Sequence, residues 1–172
     1  MNKTCYALAA SALLLGACST TPDREGPYGV ATMNPKSGSK VEGSVTFTQI
    51  RKDRVRVTAE LTGGTPGPKG FHIHEKGDCS APDAMSAGGH FNPMKAKHAS
   101  TPAAGHAGDM GNITFDASGK ASLTLELDGI SLHPESPVGI VGRAVVVHAQ
   151  SDDLVTDPTG NAGGRVACGV IR

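Results

Sequence analysis

The sequence has no tryptophan, and its few phenylalanines and tyrosines make up only 3% of the residues. It also has no excess of either charge, since Lys plus Arg and Asp plus Glu number 16 each. Without a basic excess there is no broad positive face for a phosphate backbone, so we expect no nucleic-acid partner. Long apolar runs with a helical period are scarce too, and this argues against a helical bundle.

Glycine is abundant instead, with 23 copies beside 11 prolines in a chain of 172 residues. A hydrophobic content of 38% and a charged content of 19% exclude a disordered chain, and the length suits one domain with a tail. Short apolar segments between turn residues are typical of strands. Eight such segments occur, at residues 28–33, 41–50, 55–61, 71–74, 113–115, 121–127, 144–148 and 166–171. They predict an all-β fold, either an antiparallel sandwich or a barrel.

Two long stretches do not follow the strand pattern. Residues 76–111 and residues 151–164 are rich in Gly and Pro and show no apolar periodicity. Long irregular loops inside a compact domain usually carry function, so these two loops are where we expect the functional site.

The first residues have the pattern of an export signal. Lys3 precedes an apolar run at residues 6–15, which is too short to span a bilayer as a helix. The LGAC sequence that ends at Cys18 resembles the bacterial lipobox, which implies cleavage before Cys18 and lipidation of that residue. An ordinary signal peptide followed by an incidental cysteine is the alternative.

These features divide the chain into three parts. We predict a signal peptide at residues 1–17, a lipidated flexible tether at residues 18–27 and one folded domain at residues 28–172. The protein is expected on the periplasmic side of a bacterial membrane, held by its lipid anchor. The outer membrane is preferred, because Ser19 does not resemble an inner-membrane retention signal.

Two of the four cysteines remain once export is taken into account. Cys5 would leave with the signal and Cys18 would take the lipid, which leaves Cys79 and Cys168 in an oxidising compartment. A disulfide between them would close a loop of about 90 residues. A buried pair of free thiols is the alternative.

Six of the seven histidines lie in or beside the two loops. His72 and His74 flank Ile73 in a predicted strand, so both imidazoles share one face while Ile73 points toward the core. The other candidates are His90, His98, His106, Asp109 and His148. His133 precedes a proline in a polar turn, and we predict that it is exposed to solvent.

The donor types in this set suit two different metals. An imidazole-rich tetragonal site suits Cu(II), whereas a tetrahedral site of three histidines and one aspartate suits zinc. Seven side chains serve two ions if one histidine belongs to both sites.

Five motifs in the sequence resemble those of copper/zinc superoxide dismutases. They are GFHIHE at 70–75, GGHFNP at 88–93, GHAGDMGN at 105–112, GRAVVVH at 142–148 and GNAGGRVACG at 160–169. The similarity runs from about residue 28 to residue 171, nearly the whole of the predicted folded domain. It implies an eight-stranded, immunoglobulin-like Greek-key barrel or sandwich with two long functional loops.

The resemblance also assigns roles to individual residues. It implies one copper ion per chain, held by His72, His74, His90 and His148. It implies one zinc ion per chain, held by His90, His98, His106 and Asp109, with His90 as the bridging imidazolate. Asp152 matches the carboxylate that joins His72 to His98 by hydrogen bonds. Arg165 and Thr159 match the residues of the substrate channel, and His90 and Arg165 are the predicted catalytic residues.

The activity implied is that of an oxidoreductase that converts superoxide to dioxygen and hydrogen peroxide while copper alternates between Cu(II) and Cu(I). Its implied role is protection against extracytoplasmic superoxide. A copper-buffering protein without useful turnover and a structural lipoprotein with a zinc-ordered loop are the alternatives. Bacterial relatives include monomers and differently built dimers, of which we favour a homodimer.

Overall fold

The computed structural model describes residues 28–172, which form eight strands. The predicted signal peptide, the predicted tether and Cys18 lie outside the described residues. The strands are β1 (Tyr28–Pro35), β2 (Glu42–Arg51), β3 (Arg54–Thr62), β4 (Gly67–His74), β5 (Asp109–Phe115), β6 (Ala121–Asp128), β7 (Ala144–His148) and β8 (Arg165–Val170). In the part of the chain that is described, no helix has the length and apolar character needed to cross a membrane.

The strands form one antiparallel sheet in the order β5-β4-β7-β8-β1-β2-β3-β6. The first and last strands of this order lie beside each other, which nearly closes the sheet into a barrel. The chain crosses from β3 to β4 and from β6 to β7, strands that are not neighbours in the sheet, as in a Greek key. The predicted all-β Greek-key fold is therefore confirmed.

The core lies inside the barrel and uses every phenylalanine of the chain. Phe47, Phe71, Phe91 and Phe115 are all buried in it, together with Ile73. Each such side chain contributes about 1.5–3 kcal/mol on burial. The alternation predicted for β2 and β3 is present, because buried positions recur at every second residue in both strands.

Several strand ends differ from the prediction, for example β4, which begins at Gly67 rather than at residue 71, and two connections differ as well. The first loop was expected to reach residue 111, but β5 already begins at Asp109, because the polar residues there pair with β4 across an irregular register. Residues 129–143 form a third long connection that the sequence did not single out. The loop at residues 151–164 is free of strands and helices, as predicted.

The predicted disulfide between Cys79 and Cys168 is present. It ties the loop after β4 to β8 and spans 89 positions of sequence. In the chain-entropy account, closing a loop of that length stabilises the fold by about 4–5 kcal/mol. The loop that carries three of the candidate histidines is therefore fastened to the barrel.

Candidate metal centre

Two neighbouring strands supply three of the buried histidines. His72 and His74 lie on β4, and His148 ends β7, which pairs with β4. Ile73 lies between the first two and points into the core, as predicted. Because side chains alternate along a strand, His72 and His74 share the opposite face.

Hydrogen bonds between main-chain groups hold the following loop against β4. His90 forms an isolated bridge with His74. The Ile73 N–H donates to the Gly108 carbonyl at 2.8 Å, and the Phe91 N–H donates to the Ile73 carbonyl at 2.9 Å. With Phe91 buried in the core, His90 is fixed beside the strand.

A first group of side chains, here called the four-imidazole cluster, consists of His72, His74, His90 and His148. All four are buried, and one nitrogen of each lies within 4.8 Å of the others. The Nε2 atoms of His74 and His148 are 3.3 Å apart. This group could hold one metal ion with nitrogen ligands only.

The second group, the mixed cluster, consists of His90, His98, His106 and Asp109. The Asp109 Oδ1 atom lies 3.1, 3.0 and 3.3 Å from the Nδ1 atoms of His90, His98 and His106, respectively. A tetrahedral zinc site with bonds of about 2.0–2.1 Å separates its donors by about 3.3 Å. The mixed cluster therefore has the dimensions of a tetrahedral site.

Carbonyl oxygens outside the four-imidazole cluster set the tautomers of two of its members. The Nδ1–H of His74 donates to the Gly88 carbonyl at 2.9 Å, and that of His148 to the Gly163 carbonyl at 3.2 Å. Since a neutral imidazole carries one proton, the Nε2 atom of each ring keeps a lone pair that faces the cluster.

Asp152 fixes the tautomer of one ring in each cluster. Its Oδ2 atom lies 2.7 Å from His72 Nε2, and its Oδ1 atom lies 2.9 Å from His98 Nε2. Asn112 holds this aspartate, because its side-chain oxygen accepts the Asp152 N–H at 2.8 Å and its amide donates to the Asp152 carbonyl at 2.9 Å. Gly160 packs against the carboxylate, where a Cβ atom would overlap Asp152 Oδ1.

His90 differs from the other rings because both of its nitrogens face a cluster. Its Nδ1 atom belongs to the mixed cluster and its Nε2 atom to the four-imidazole cluster. Across residues 28–172, the buried side-chain polar atoms without a hydrogen-bond partner are His90 Nε2 and His72 Nδ1. Such atoms each cost about 1–3 kcal/mol when unsatisfied, so a cation between these rings fits the donor set.

Burial favours the neutral form of three imidazoles of the four-imidazole cluster, those of His72, His74 and His148. It lowers the pKa of His72 to about 4 and that of His148 to about 3, and it holds the pKa of His74 well below its usual range. Burial alone would raise the pKa of Asp152, but hydrogen bonds from His72 and His98 outweigh it and lower that pKa to about 2. Neutral rings beside an ionised carboxylate are the states that metal ligation requires.

The predicted channel residues lie at an open cavity of about 400 Å³ above the four-imidazole cluster. Arg165, at the start of β8, and the exposed Thr159 both line it. The Arg165 guanidinium donates to the carbonyls of Ala84 and Gly88 at 2.7 and 2.6 Å. These bonds hold a positive charge at the cavity, where an anion can reach it.

Some contributors to the site were not predicted from the sequence. The Asp157 Oδ1 atom accepts the His98 N–H at 2.9 Å and lies 3.5 Å from His106 Nε2. Asn112 and Gly160 position Asp152 as described above. Neighbouring glycines and a GDMGN run were the only sequence signals for these roles. His133 is exposed, as predicted, and takes no part.

Eight antiparallel strands with two joined clusters of buried imidazoles define a β-barrel protein with a two-metal centre. The family described as copper/zinc superoxide dismutase (SODC) matches residues 41–171, and the chain belongs to that family. The family comprises oxidoreductases that use copper and zinc, with superoxide as the substrate. The crystal structure of the clock protein EA4 is similar to this chain, with 43% identity and a TM-score of 0.74 over 84% of this chain and 92% of that one.

Proposed function

We propose that this protein dismutates superoxide with copper in the four-imidazole cluster and zinc in the mixed cluster. The observation that carries this assignment is His90, which presents one nitrogen to each cluster and has no oxygen acceptor for Nε2 among the described residues. A ring that serves two cations at once gives up its proton, so His90 would be the bridging imidazolate.

The residues around the cavity have different roles in the proposed reaction. Bound copper supplies a one-electron couple that oxidises one superoxide to dioxygen and reduces the next to peroxide. Arg165 binds and orients the anion through its charge and its fork of donors. His90 Nε2 holds a proton in one half of the cycle and gives it to the departing peroxide in the other. Asp152 keeps the rings of His72 and His98 in fixed orientations.

The test of this assignment is a pair of histidine variants. His148→Ala removes a ring from the four-imidazole cluster alone, so we expect it to lose copper and activity and to keep zinc. His133→Ala changes an exposed ring and should keep one copper, one zinc and full superoxide consumption. Elemental analysis and a superoxide assay report both quantities. Full copper in His148→Ala would refute the assignment, as would a wild-type protein that holds zinc alone.

We further propose that the protein acts outside the cytoplasm as a lipoprotein anchored at Cys18, preferentially in the outer membrane. The disulfide between Cys79 and Cys168 supports this, because such bonds persist in oxidising compartments. Intact mass of the protein extracted from membranes should show the acylated form that begins at Cys18. The Cys18→Ala variant is the control and should leave the membrane fraction. An unmodified Cys18 would exclude the anchor.

The favoured homodimer stays a prediction. Sedimentation equilibrium of the purified holoprotein at micromolar concentration tests it directly. A mass of one chain at every concentration would exclude it.

A further inference from the structure

The cavity above the four-imidazole cluster has one sulfur-containing residue in its lining. His74, His90 and His148 line its floor, and Met85 lines it beside Arg165. The Met85 side chain is 61% exposed to solvent, whereas the three rings are buried. A thioether is therefore open both to solvent and to the cavity that reaches the imidazoles.

The turn that carries Met85 is held firmly in place. Met85 begins a short 3₁₀ turn, Met85–Ala87, in which Ala87 and the preceding residue Ala84 are fully buried. The Met85 N–H donates to Asp83 Oδ1 at 3.0 Å, and Arg165 donates to the Ala84 carbonyl at 2.7 Å. The exposure of this apolar side chain is thus a property of a fixed turn.

The other sulfur atoms of the described residues do not share this position. Cys79 and Cys168 are consumed by the disulfide. Met33 and Met110 are buried. Met94 is 71% exposed, more than Met85, but it is not part of the cavity lining within residues 28–172. Met94 is therefore a matched control for exposure alone.

The chemistry of the two donor types suggests an order of contact for an incoming ion. Thioethers are soft ligands that select Cu(I). The cavity floor offers His90 Nε2, a buried nitrogen for which the described residues supply no partner. A soft donor and imidazole nitrogens in the lining of one open cavity form a path from solvent to the cluster.

We propose that Met85 is the entry ligand for Cu(I). Its thioether binds the ion at the cavity mouth and passes it to the imidazoles by ligand exchange, with no change in oxidation state. This inference rests on the proposed function, since it takes the four-imidazole cluster as the destination of copper.

The first test measures copper loading rather than turnover. Zinc-loaded, copper-free protein receives Cu(I) from its bicinchoninate complex without oxygen, and the loss of the coloured complex gives the loading rate. Met85→Leu keeps an apolar side chain of similar volume and removes the sulfur. We expect it to slow loading by about threefold to tenfold, the effect of one weak contact, with the final copper content unchanged. Met94→Leu should load at the wild-type rate.

The second test observes the thioether itself. Ag(I) is a redox-inert substitute for Cu(I), and methionine methyl groups labelled with ¹³C report its binding by NMR. At substoichiometric Ag(I), the Met85 methyl signal of the zinc-loaded protein should shift and the Met94 signal should not.

The outcomes separate this inference from the proposed function. A wild-type protein that takes up no copper overturns the proposed function and the entry role with it. Full uptake at equal rates in wild type and Met85→Leu overturns the entry role alone. Equal shifts of the Met85 and Met94 signals overturn it as well.

Discussion

Arg165 is the one charged side chain among the described residues that line the cavity above the four-imidazole cluster. Burial lowers the pKa of its guanidinium, yet an arginine stays charged at any pH at which the protein functions. Its hydrogen bonds to Ala84 and Gly88 leave the guanidinium little freedom to swing away. An electrostatic role for this residue is therefore both geometrically and chemically supported.

Replacing Arg165 should slow the encounter with superoxide. We expect Arg165→Ala to lower the second-order rate constant by about tenfold and to flatten its dependence on ionic strength, because a focused field is lost. Pulse radiolysis over a range of salt concentrations measures both effects. Arg165→Lys keeps the charge but loses the paired N–H donors of the guanidinium, so its rate constant should lie between those of wild type and Arg165→Ala. Identical rates in wild type and Arg165→Ala would remove Arg165 from the mechanism.

Asp157 is expected to support the mixed cluster without touching the metal. It accepts the His98 N–H and lies beside His106 Nε2, so its loss frees two ligands. Such outer partners typically contribute about tenfold to a hundredfold in metal affinity. Asp157→Ala should therefore weaken zinc binding by about tenfold in a chelator competition assay. Asp128→Ala, at the far end of β6, is the control, and equal affinities in both variants would contradict this role.

The ligand residues could be predicted because their spacing and neighbours form family motifs. His72 and His74 also follow from strand alternation, which the structure reproduces around Ile73. Asp157 could not be found in this way. Its role depends on how the loop at residues 151–164 folds back over His98, and no local pattern encodes that contact.

At the scale of elements, the loop at residues 151–164 packs over the two clusters, and the conformation of its turns determines where Asp152 lies. Gly160 has a φ of +60° and lies against Asp152 and His98. Both the backbone angle and the lack of space call for glycine at this position. The loop can therefore bring Asp152 between the two clusters only with this residue in place.

Gly160→Ala should disturb the site more than the fold. The new Cβ would overlap Asp152 Oδ1 and strain the left-handed backbone by about 1 kcal/mol. We expect zinc affinity to fall by about tenfold, as when a supporting hydrogen bond is lost. In Gly164→Ala, in the same loop, the Cβ meets no atom within 4 Å, so zinc affinity should be unchanged. Chelator competition compares the two, and a Gly160→Ala protein that binds zinc as wild type would refute this packing argument.

Strands with clear alternation were predictable, and those with functional residues were less so. β3 shows the apolar period along its length, and β2 shows it at Val45 and Phe47 before the buried position passes to the polar Gln49. β5 begins with Asp109, a buried polar residue that breaks the period because it serves the mixed cluster. The connection at residues 129–143 was not predicted. Its buried residues Ile130 and Ile140 anchor it to the core, but polar turn residues separate them and no apolar period is visible in the sequence.

At the scale of the whole molecule, the barrel and the metal centre are held by different forces. The barrel has its own apolar core, whereas the loops meet through imidazoles and carboxylates whose lone pairs form two sets of metal donors. Metal ions bound at these sets stabilise only the folded chain.

Removing both metals should therefore lower the melting temperature without abolishing the fold. With each ion bound well above its dissociation constant, we expect a decrease of about 10 °C or more in calorimetry. Zinc added back alone should restore part of the difference, and magnesium, which prefers oxygen ligands, should restore none. Equal melting temperatures of the metal-free and metal-loaded protein would contradict this coupling.

Two residues, His90 and Asp152, each belong to the surroundings of both clusters. An ion bound at one cluster orients His90 and, through Asp152, a ring of the other cluster. Binding of the second ion then requires less ordering of these side chains. By thermodynamic linkage, the factor by which zinc raises the affinity for copper equals the factor by which copper raises the affinity for zinc. We therefore expect the two sites to be coupled, so that loading one ion changes the affinity for the other by a factor that is the same in both directions.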